Sequence, residues 1–276
     1  EPVAAEWRLA GRTAVVEMAR ASGLALVGGA EENDPIGAST AGTGELLAAA
    51  VDAGAKRILV GLGGSATTDG GLGALRALYP LHRLAGVDIE VLCDVRTPFV
   101  DAATVFAPQK GASAAQVELL RRRLDRLADV YLADHGVDVR ALEGAGAAGG
   151  LAGGLAVSGA RLVGGFDAVA DELDLPDRIE GADLVITAEG FLDEQSFEGK
   201  VVGGVAELAR AAGVRCVAVV GEVVPDLAPE VGSGVEVVSL VSRVGDERSR
   251  ADTAACIAEA LFDVLARHTR GGDPGE

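Results

Sequence analysis

Lysine is almost absent from this sequence. Only Lys56, Lys110 and Lys200 stand beside 21 arginines, and 24 basic against 42 acidic side chains give a formal net charge of −18. Nucleic-acid binders draw affinity from Lys and Arg that neutralise phosphates, and a chain this acidic repels DNA, RNA and anionic membrane surfaces. Those partners are excluded. Cysteine is scarce as well: Cys93, Cys216 and Cys256 are far apart, odd in number and without a C-x-x-C pair. That spacing disfavours a disulfide framework and a zinc site, and it points to a reducing, cytoplasmic setting. Aromatic residues make up 3% of the chain, so the core has to be aliphatic. Long apolar runs are missing too. The longest uncharged stretch, 144–160, holds seven glycines and three large aliphatic residues, too weakly apolar to span a bilayer. No leader peptide is visible; the sequence opens on Glu1, so the natural start is expected to lie outside it.

What is abundant is small and aliphatic. Hydrophobic residues reach 49%, and 39 of 276 residues are Gly, which excludes a disordered chain and suits an α/β fold whose buried parallel strands read as aliphatic runs. Strands are expected at 12–18, 57–60, 88–93, 183–187, 215–220 and 235–241, alternating with helices at 43–53, 72–78, 114–133, 201–212 and 252–266. In the 114–133 helix, Val117, Leu120, Leu124, Leu127 and Val130 mark the buried stripe, and Arg121, Arg122 and Arg123 a solvated face. Four of the strands, in ILVGLGGSATTDGG, EVLCDVRTP, LVITAEGFLDEQSFEGK and VAVVGE, run into polar or Gly-rich loops. Ligands of open α/β sheets bind at the carboxyl ends of strands, so these loops are expected to converge on one edge.

Two of the loops carry the chemistry. Residues 61–73, GLGGSATTDGGLG, combine glycines that let backbone N–H groups approach an anion with the hydroxyls of Ser65, Thr67 and Thr68 and with Asp69. Gly63, Gly64, Ser65, Thr67 and Asp69 are therefore candidate phosphate or carboxylate contacts, although Asp69 can equally be a helix cap. The loop is not a Walker A motif, whose spacing occurs nowhere in the chain. Residues 188–200, AEGFLDEQSFEGK, are read as a loop that crowds Glu189, Asp193, Glu194, Gln195, Ser196, Glu198 and Lys200. Such charges repel unless a cation or ligand organises them, and Mg²⁺ with substrate phosphates would do so; a solvated loop is the plainer reading. Lys110 and Lys200 both adjoin Gly, placing flexible point charges where phosphate could be reached. A literal G-x-G-x-x-G at 144–149 follows a poor strand and reads as a small-residue helix rather than a dinucleotide site. Nucleophilic hydrolysis lacks its G-x-S-x-G.

Taken in order, NDPIGASTAGTGELL at 33–47, VGLGGSATTDGG at 60–71, LCDVRTPF at 92–99, VFAPQKGA at 105–112, GAGAAGGL at 144–151 and ADLVITAEGFLDEQSFEGKVVGGVA at 182–206 resemble the type I glycerate kinases over nearly the whole chain. The resemblance implies an α/β fold of mostly parallel sheets with flanking helices, in one unit over 1–270 whose two lobes divide near 160–180, and a disordered tail at 271–276. It implies phosphorylation of glycerate by ATP with Mg²⁺, typically to 2-phosphoglycerate, and it leaves oligomer formation open. Asp193, Asp94 and Lys200 become the candidate catalytic residues. Gly63, Gly64, Ser65, Thr67, Asp69, Gln109, Lys110, Gln195 and Ser196 become the substrate and phosphate contacts, and Glu189 with Asp193 the metal ligands. The sequence departs from the family in lacking an N-terminal strand and acidic loop, as a fragment or shortened form would. It also has Phe191 where many members have Arg, and Ala41 where many have Tyr. The rival expectations are a non-catalytic binder of small molecules and, more distantly, a NAD-dependent oxidoreductase.

Overall fold

A computed structural model of the chain describes residues 2–197, 200–224 and 234–271; of the expected tail, all but Gly271 lie outside these. The chain divides into two compact units, Glu1–Gly165 and Phe166–Glu276.

The first unit is built on a five-stranded sheet with strands in chain order: β1 (Arg8–Ala10), β2 (Thr13–Glu17), β3 (Arg57–Gly61), β4 (Asp88–Leu92) and β5 (Arg161–Val163). β1 and β2 pair antiparallel, and β2 to β5 run parallel. Alternation along the strands sends Ala14, Val16, Ile58, Val60, Ile89 and Val91 to one face. There they pack with Leu47, Leu78, Leu151 and Leu155 from the helices Ala41–Asp52, Leu72–Leu78 and Ala147–Val157. The opposite face carries a charged row. Glu90, 8% exposed, is bound by Arg57 at 2.7 Å and Arg161 at 2.6 Å. This row explains why β5 is invisible in an aliphatic search: the short edge strand opens on an arginine that is held by an ion pair.

A second core cluster forms around the helix Ala114–His135. Ser113 and Gln116 close a capping box at its start, and Gly136, in the left-handed conformation, ends it. Leu120, Leu124, Ala128 and Tyr131 are the buried residues of this helix, and they pack with Phe99, Val139 and Ala145. Val130 is 46% exposed, so the buried stripe expected at this position turns instead through Ala128 and Tyr131. The step from Leu124 to Ala128 to Tyr131 keeps the four- and three-residue spacing on one face.

The second unit holds a three-stranded parallel sheet, ordered β6 (Val185–Leu192), β7 (Cys216–Val223) and β8 (Val235–Ser239). Cys216 packs with Val205, Ala206 and Ala209 of the helix Val201–Ala212, while Val217 and Val219 pack with Cys256, Ala260 and Val264 of the helix Thr253–Gly271. Coverage on both faces is why β7 reads as an unbroken aliphatic run. Several expected boundaries move. β8 stops at Ser239, whose Oγ accepts from Ser242 N–H and starts a new helix turn. β6 continues to Leu192, so Ala188–Leu192 is strand rather than loop.

The burial difference within the 114–135 helix can be measured. Leu124→Ala is expected to lower the unfolding free energy by about 2–5 kcal/mol in urea titrations, whereas Val130→Ala should stay within about 0.5 kcal/mol.

Candidate active site

β3 leaves the first sheet at Gly61, and the chain then makes the loop that leads into the 72–78 helix. Four carbonyls of this loop are held by other segments of the first unit. Gly64 O accepts from Leu24 N–H, Ala66 O from Asn33 Nδ2 at 3.1 Å, Thr67 O from Lys110 Nζ at 2.7 Å and Gly70 O from Tyr131 Oη at 2.9 Å. Ala66 N–H donates to Ser22 O and Gly70 N–H to Gly149 O. The N–H groups of Gly63, Gly64 and Ser65, by contrast, donate to no protein acceptor among the described residues. Gly64 has φ +76, and Gly63 and Gly64 are exposed. Successive free N–H groups around a left-handed residue form an anion-receptive concavity.

Asp69 is engaged on all sides. Its carboxylate accepts from Thr40 N–H at 2.8 Å, from Thr40 Oγ1 and from the N–H groups of Gly71 and Gly73. It therefore joins this loop to the start of the 41–52 helix and serves the cap role that sequence left open. Thr67 and Thr68 are buried, and neither Oγ1 has a hydrogen-bond partner. Gln109 is exposed on the short turn Pro108–Lys110.

Lys110 is 3% exposed, so its ammonium is directed at the loop's own carbonyl. Burial pulls its pKa down to about 8, against the attraction of Asp69. Asn33, which composition and spacing did not single out, spans two backbone carbonyls, those of Ala66 and Lys110. Residues 144–154 were also missed as part of the site. Gly149 and Gly150 adopt positive φ inside the 147–157 helix; a Cβ on Gly149 would strike Thr67 O, and one on Gly154 would lie 2.6 Å from Gly70 O. The Gly/Ala run is a close-packed backing for the loop. Its density of glycines was the available signal. Tyr131, whose burial pushes its hydroxyl pKa up, lies within the expected 114–133 helix but was not named among its buried positions.

A cavity of about 920 Å³ opens beside the loop, bordered by Ser22, Gly23, Leu26, Val27, Ser39, Ala41, Gly42, Ala66 and Thr67 among others. After β4, Asp94 Oδ1 accepts from Gly165 N–H at 2.6 Å.

The remaining candidates lie in the second unit. Glu189 sits within β6, and its Oε2 is buried without a partner. Asp193 and Ser196 bond reciprocally: Ser196 N–H and Oγ both donate to Asp193 Oδ1, and Asp193 N–H donates to Ser196 Oγ. Asp193 thus heads the turn Glu194–Phe197, in which Gln195 lies and Ser196 is fully buried. Lys200 stands at the N-cap of the 201–212 helix. The four expected loops do not share one sheet edge, because two follow strands of the first sheet and two follow strands of the second. No group of three or more His, Cys, Asp and Glu residues able to hold a metal occurs among the described residues. Mg²⁺ needs only one or two carboxylates when phosphates complete its shell, and the unpartnered buried oxygen of Glu189 fits that demand.

Parallel strands that end in an anion-receptive loop define an α/β protein of the class that binds phosphorylated or carboxylated small molecules. A sequence profile of the glycerate kinase family matches residues 1–79 and 80–269. The glycerate kinase of Bacillus subtilis (strain 168) is 40% identical over 260 residues, spanning 82% of this chain and 68% of the relative. The glycerate 2-kinase of Escherichia coli (strain K12) is 38% identical over 280 residues, spanning 89% and 73%. A crystal structure assigned to glycerate kinase 2 of Salmonella typhimurium LT2 matches with a TM-score of 0.71 and 35% identity over 93% of this chain and 79% of that one. The chain belongs to the glycerate kinase family, a family of small-molecule kinases.

Two measurements probe how the loop is held. An unfolded lysine keeps its proton up to about 10.5 while the buried one releases it near 8, so the unfolded chain binds more protons in that window and stability rises with pH through it. Replacing Lys110 by Met should remove a gain of about 2–3 kcal/mol between about pH 7 and pH 10, read as a flatter stability profile. Gly149→Ala combines a strained backbone with the contact on Thr67 O and should cost at least about 2 kcal/mol in thermal or urea unfolding.

Proposed function

We propose that the chain phosphorylates glycerate with ATP and Mg²⁺, giving 2-phosphoglycerate. The observation that carries this reading is the anchored 63–71 loop, whose free N–H groups at Gly63, Gly64 and Ser65 await an anion. Membership of the glycerate kinase family supplies the acceptor. The three cysteines, all free, support a cytoplasmic setting.

Phosphoryl transfer asks little covalent chemistry of a protein; it asks for positioning, for neutral surroundings for the phosphate charge and for a group to take the hydroxyl proton. Here the 63–65 N–H groups bind an anionic group of a substrate, and because the loop carbonyls are already tied down, no reorganisation accompanies the reaction. Lys110 keeps the loop in place and adds a buried positive charge behind it. Asp193 accepts the proton of the attacking hydroxyl; its hydrogen bonds from Ser196 hold the carboxylate in one orientation. Asp94 is the alternative base. Lys200 neutralises charge on the transferring phosphoryl group. Glu189 would hold Mg²⁺, with Asp193 as a second ligand where Asp94 is the base; when bound, the ion neutralises phosphate oxygens.

Coupled assay of ATP-dependent glycerate turnover tests the assignment. Asp193→Asn and Lys200→Ala should each lower kcat by about 10²-fold or more with little change in melting temperature. Full turnover in both variants would remove these roles, and stabilisation by glycerate but not by Mg-ATP would make the chain a binder instead of a kinase.

A further inference from the structure

The segment 33–40 grips the 63–71 loop at two points. At its start, Asn33 Nδ2 donates to Ala66 O at 3.1 Å and to Lys110 O at 2.9 Å. At its end, Thr40 N–H and Oγ1 donate to the Asp69 carboxylate at 2.8 and 2.9 Å, and Thr40 Oγ1 accepts from Ala74 N–H. Between these points the segment is folded on itself. Asp34 Oδ1 accepts from Ile36 N–H and Asp34 O from Ala38 N–H, while Arg123 of the 114–135 helix donates to Ile36 O. A Cβ on Gly37 would strike the Asp34 carboxylate, so the turn closes only around a residue without a side chain. The stretch Ala66–Asp69 is thus clamped at both ends by one short, rigid segment.

A side-chain amide has two N–H protons, and in Asn33 both go to backbone carbonyls of other segments. That fixes which way the group is turned, because an amide oxygen facing Ala66 O and Lys110 O would be repelled by both. Lys110 Nζ in turn donates to Thr67 O at 2.7 Å. Asn33 therefore anchors one loop carbonyl directly, and it anchors the backbone of the residue that holds the next. Ala66 N–H donates to Ser22 O at 3.0 Å, so Ala66 is pinned on both of its peptide groups. It follows immediately on Gly63, Gly64 and Ser65, and the direction of their N–H groups depends on how Ala66 is held.

Stability alone does not account for this arrangement. Four buried side-chain oxygens among the described residues lack a hydrogen-bond partner: Asn33 Oδ1, Thr67 Oγ1, Thr68 Oγ1 and Glu189 Oε2. Three of the four lie on Asn33 itself or in the stretch it clamps. Buried polar atoms are ordinarily paired, and departures from that rule concentrate at functional sites. We infer that Asn33 is a positioning residue for phosphoryl transfer. It acts through Ala66 and Lys110 rather than on a reacting atom, and its two N–H groups set the 63–65 donors towards the anionic group of a substrate. The role rests on the proposed kinase reaction for the identity of that anion, a phosphate of ATP or the carboxylate of glycerate.

Asn33→Leu and Asn33→Asp are close to asparagine in size and both remove the donors, while the aspartate keeps an oxygen where Oδ1 stands. Ile89→Ala, in the sheet core at 3% exposure, is the control that loses stability without touching the loop. Melting curves establish that each variant is folded at the assay temperature. The amide signals of Gly63, Gly64 and Ser65 are followed by NMR in isotope-labelled protein as inorganic phosphate, and separately glycerate, is added; KM and kcat come from the coupled assay. At least one of the two anions should shift these signals in the wild type. Both Asn33 variants should weaken that binding and raise the KM of one substrate by at least about tenfold, with kcat changed less than about threefold, whereas Ile89→Ala should stay within about twofold throughout. The positioning role is overturned if neither anion moves the wild-type signals, if the Asn33 variants behave as Ile89→Ala does, or if kcat falls with KM unchanged. It is also overturned if Asn33→Leu loses binding and Asn33→Asp keeps it, since Oδ1 would then be the working atom. If both Asn33 variants lose anion binding while the wild type never phosphorylates glycerate, the control of the loop by Asn33 stands and the glycerate reading falls.

Discussion

The first unit depends on one asymmetry in the hydrogen bonding of the 63–71 loop. Gly64, Ala66, Thr67 and Gly70 give their carbonyls to Leu24, Asn33, Lys110 and Tyr131, while the N–H groups of Gly63, Gly64 and Ser65 have no acceptor among the described residues. Each satisfied bond contributes about 0.5–1.5 kcal/mol, and a buried partner left unpaired costs about 1–3 kcal/mol. Four such ties, from four separate parts of the chain, therefore hold the loop in a single arrangement with its donors outward. The surrounding architecture serves these ties. The 114–135 helix brings Tyr131, the 108–110 turn brings Lys110, and the Gly-rich 144–154 segment removes side chains where backbone must pass close to backbone.

Charge is arranged on the same principle. A protein with a formal charge of −18 repels anionic substrates at long range, so it has to bind them through local donors. Backbone N–H groups carry no formal charge and need no counter-ion. Lys110 supplies its positive charge from the interior at a cost in stability, visible in the fall of its pKa to about 8. Asp69 neutralises part of that cost and is itself consumed by Thr40, Gly71 and Gly73. Carboxylate and ammonium thus act as internal struts.

Much of this was legible in advance. The aliphatic runs located β2, β3, β4, β6 and β7, and the helices at 72–78 and 201–212 fall on the expected residues, because propensity, period and flanking glycines agree there. The 61–73 loop and the two Gly-flanked lysines were identified from residue type alone. What escaped has particular causes. β5 begins on Arg161, whose ion pair with Glu90 exists only once the strands are adjacent. β6 runs through Glu189 to Leu192 because β7 offers a full ladder as far as Val223, which outweighs the loop-like composition. Asn33 is one amide among polar neighbours, and its double contact with Ala66 and Lys110 spans 33 and 77 residues.

By itself the sequence determined the class of fold and the family, and it pointed to the two segments proposed to bear the chemistry, since these follow from composition, period and ordered motifs that do not require the chain to be folded. Only the tertiary structure decided the direction in which each group acts. It turned Lys110 towards Thr67, gave Asp69 to the helix start, made the 144–154 glycines a backing for the loop, distributed the four candidate loops over two sheets, and opened a cavity beside Ser22 and Thr67. The physical reason is that a donor or acceptor is defined by its nearest partners. Those partners are brought within 3 Å by packing among residues tens of positions apart, a distance that local sequence does not encode.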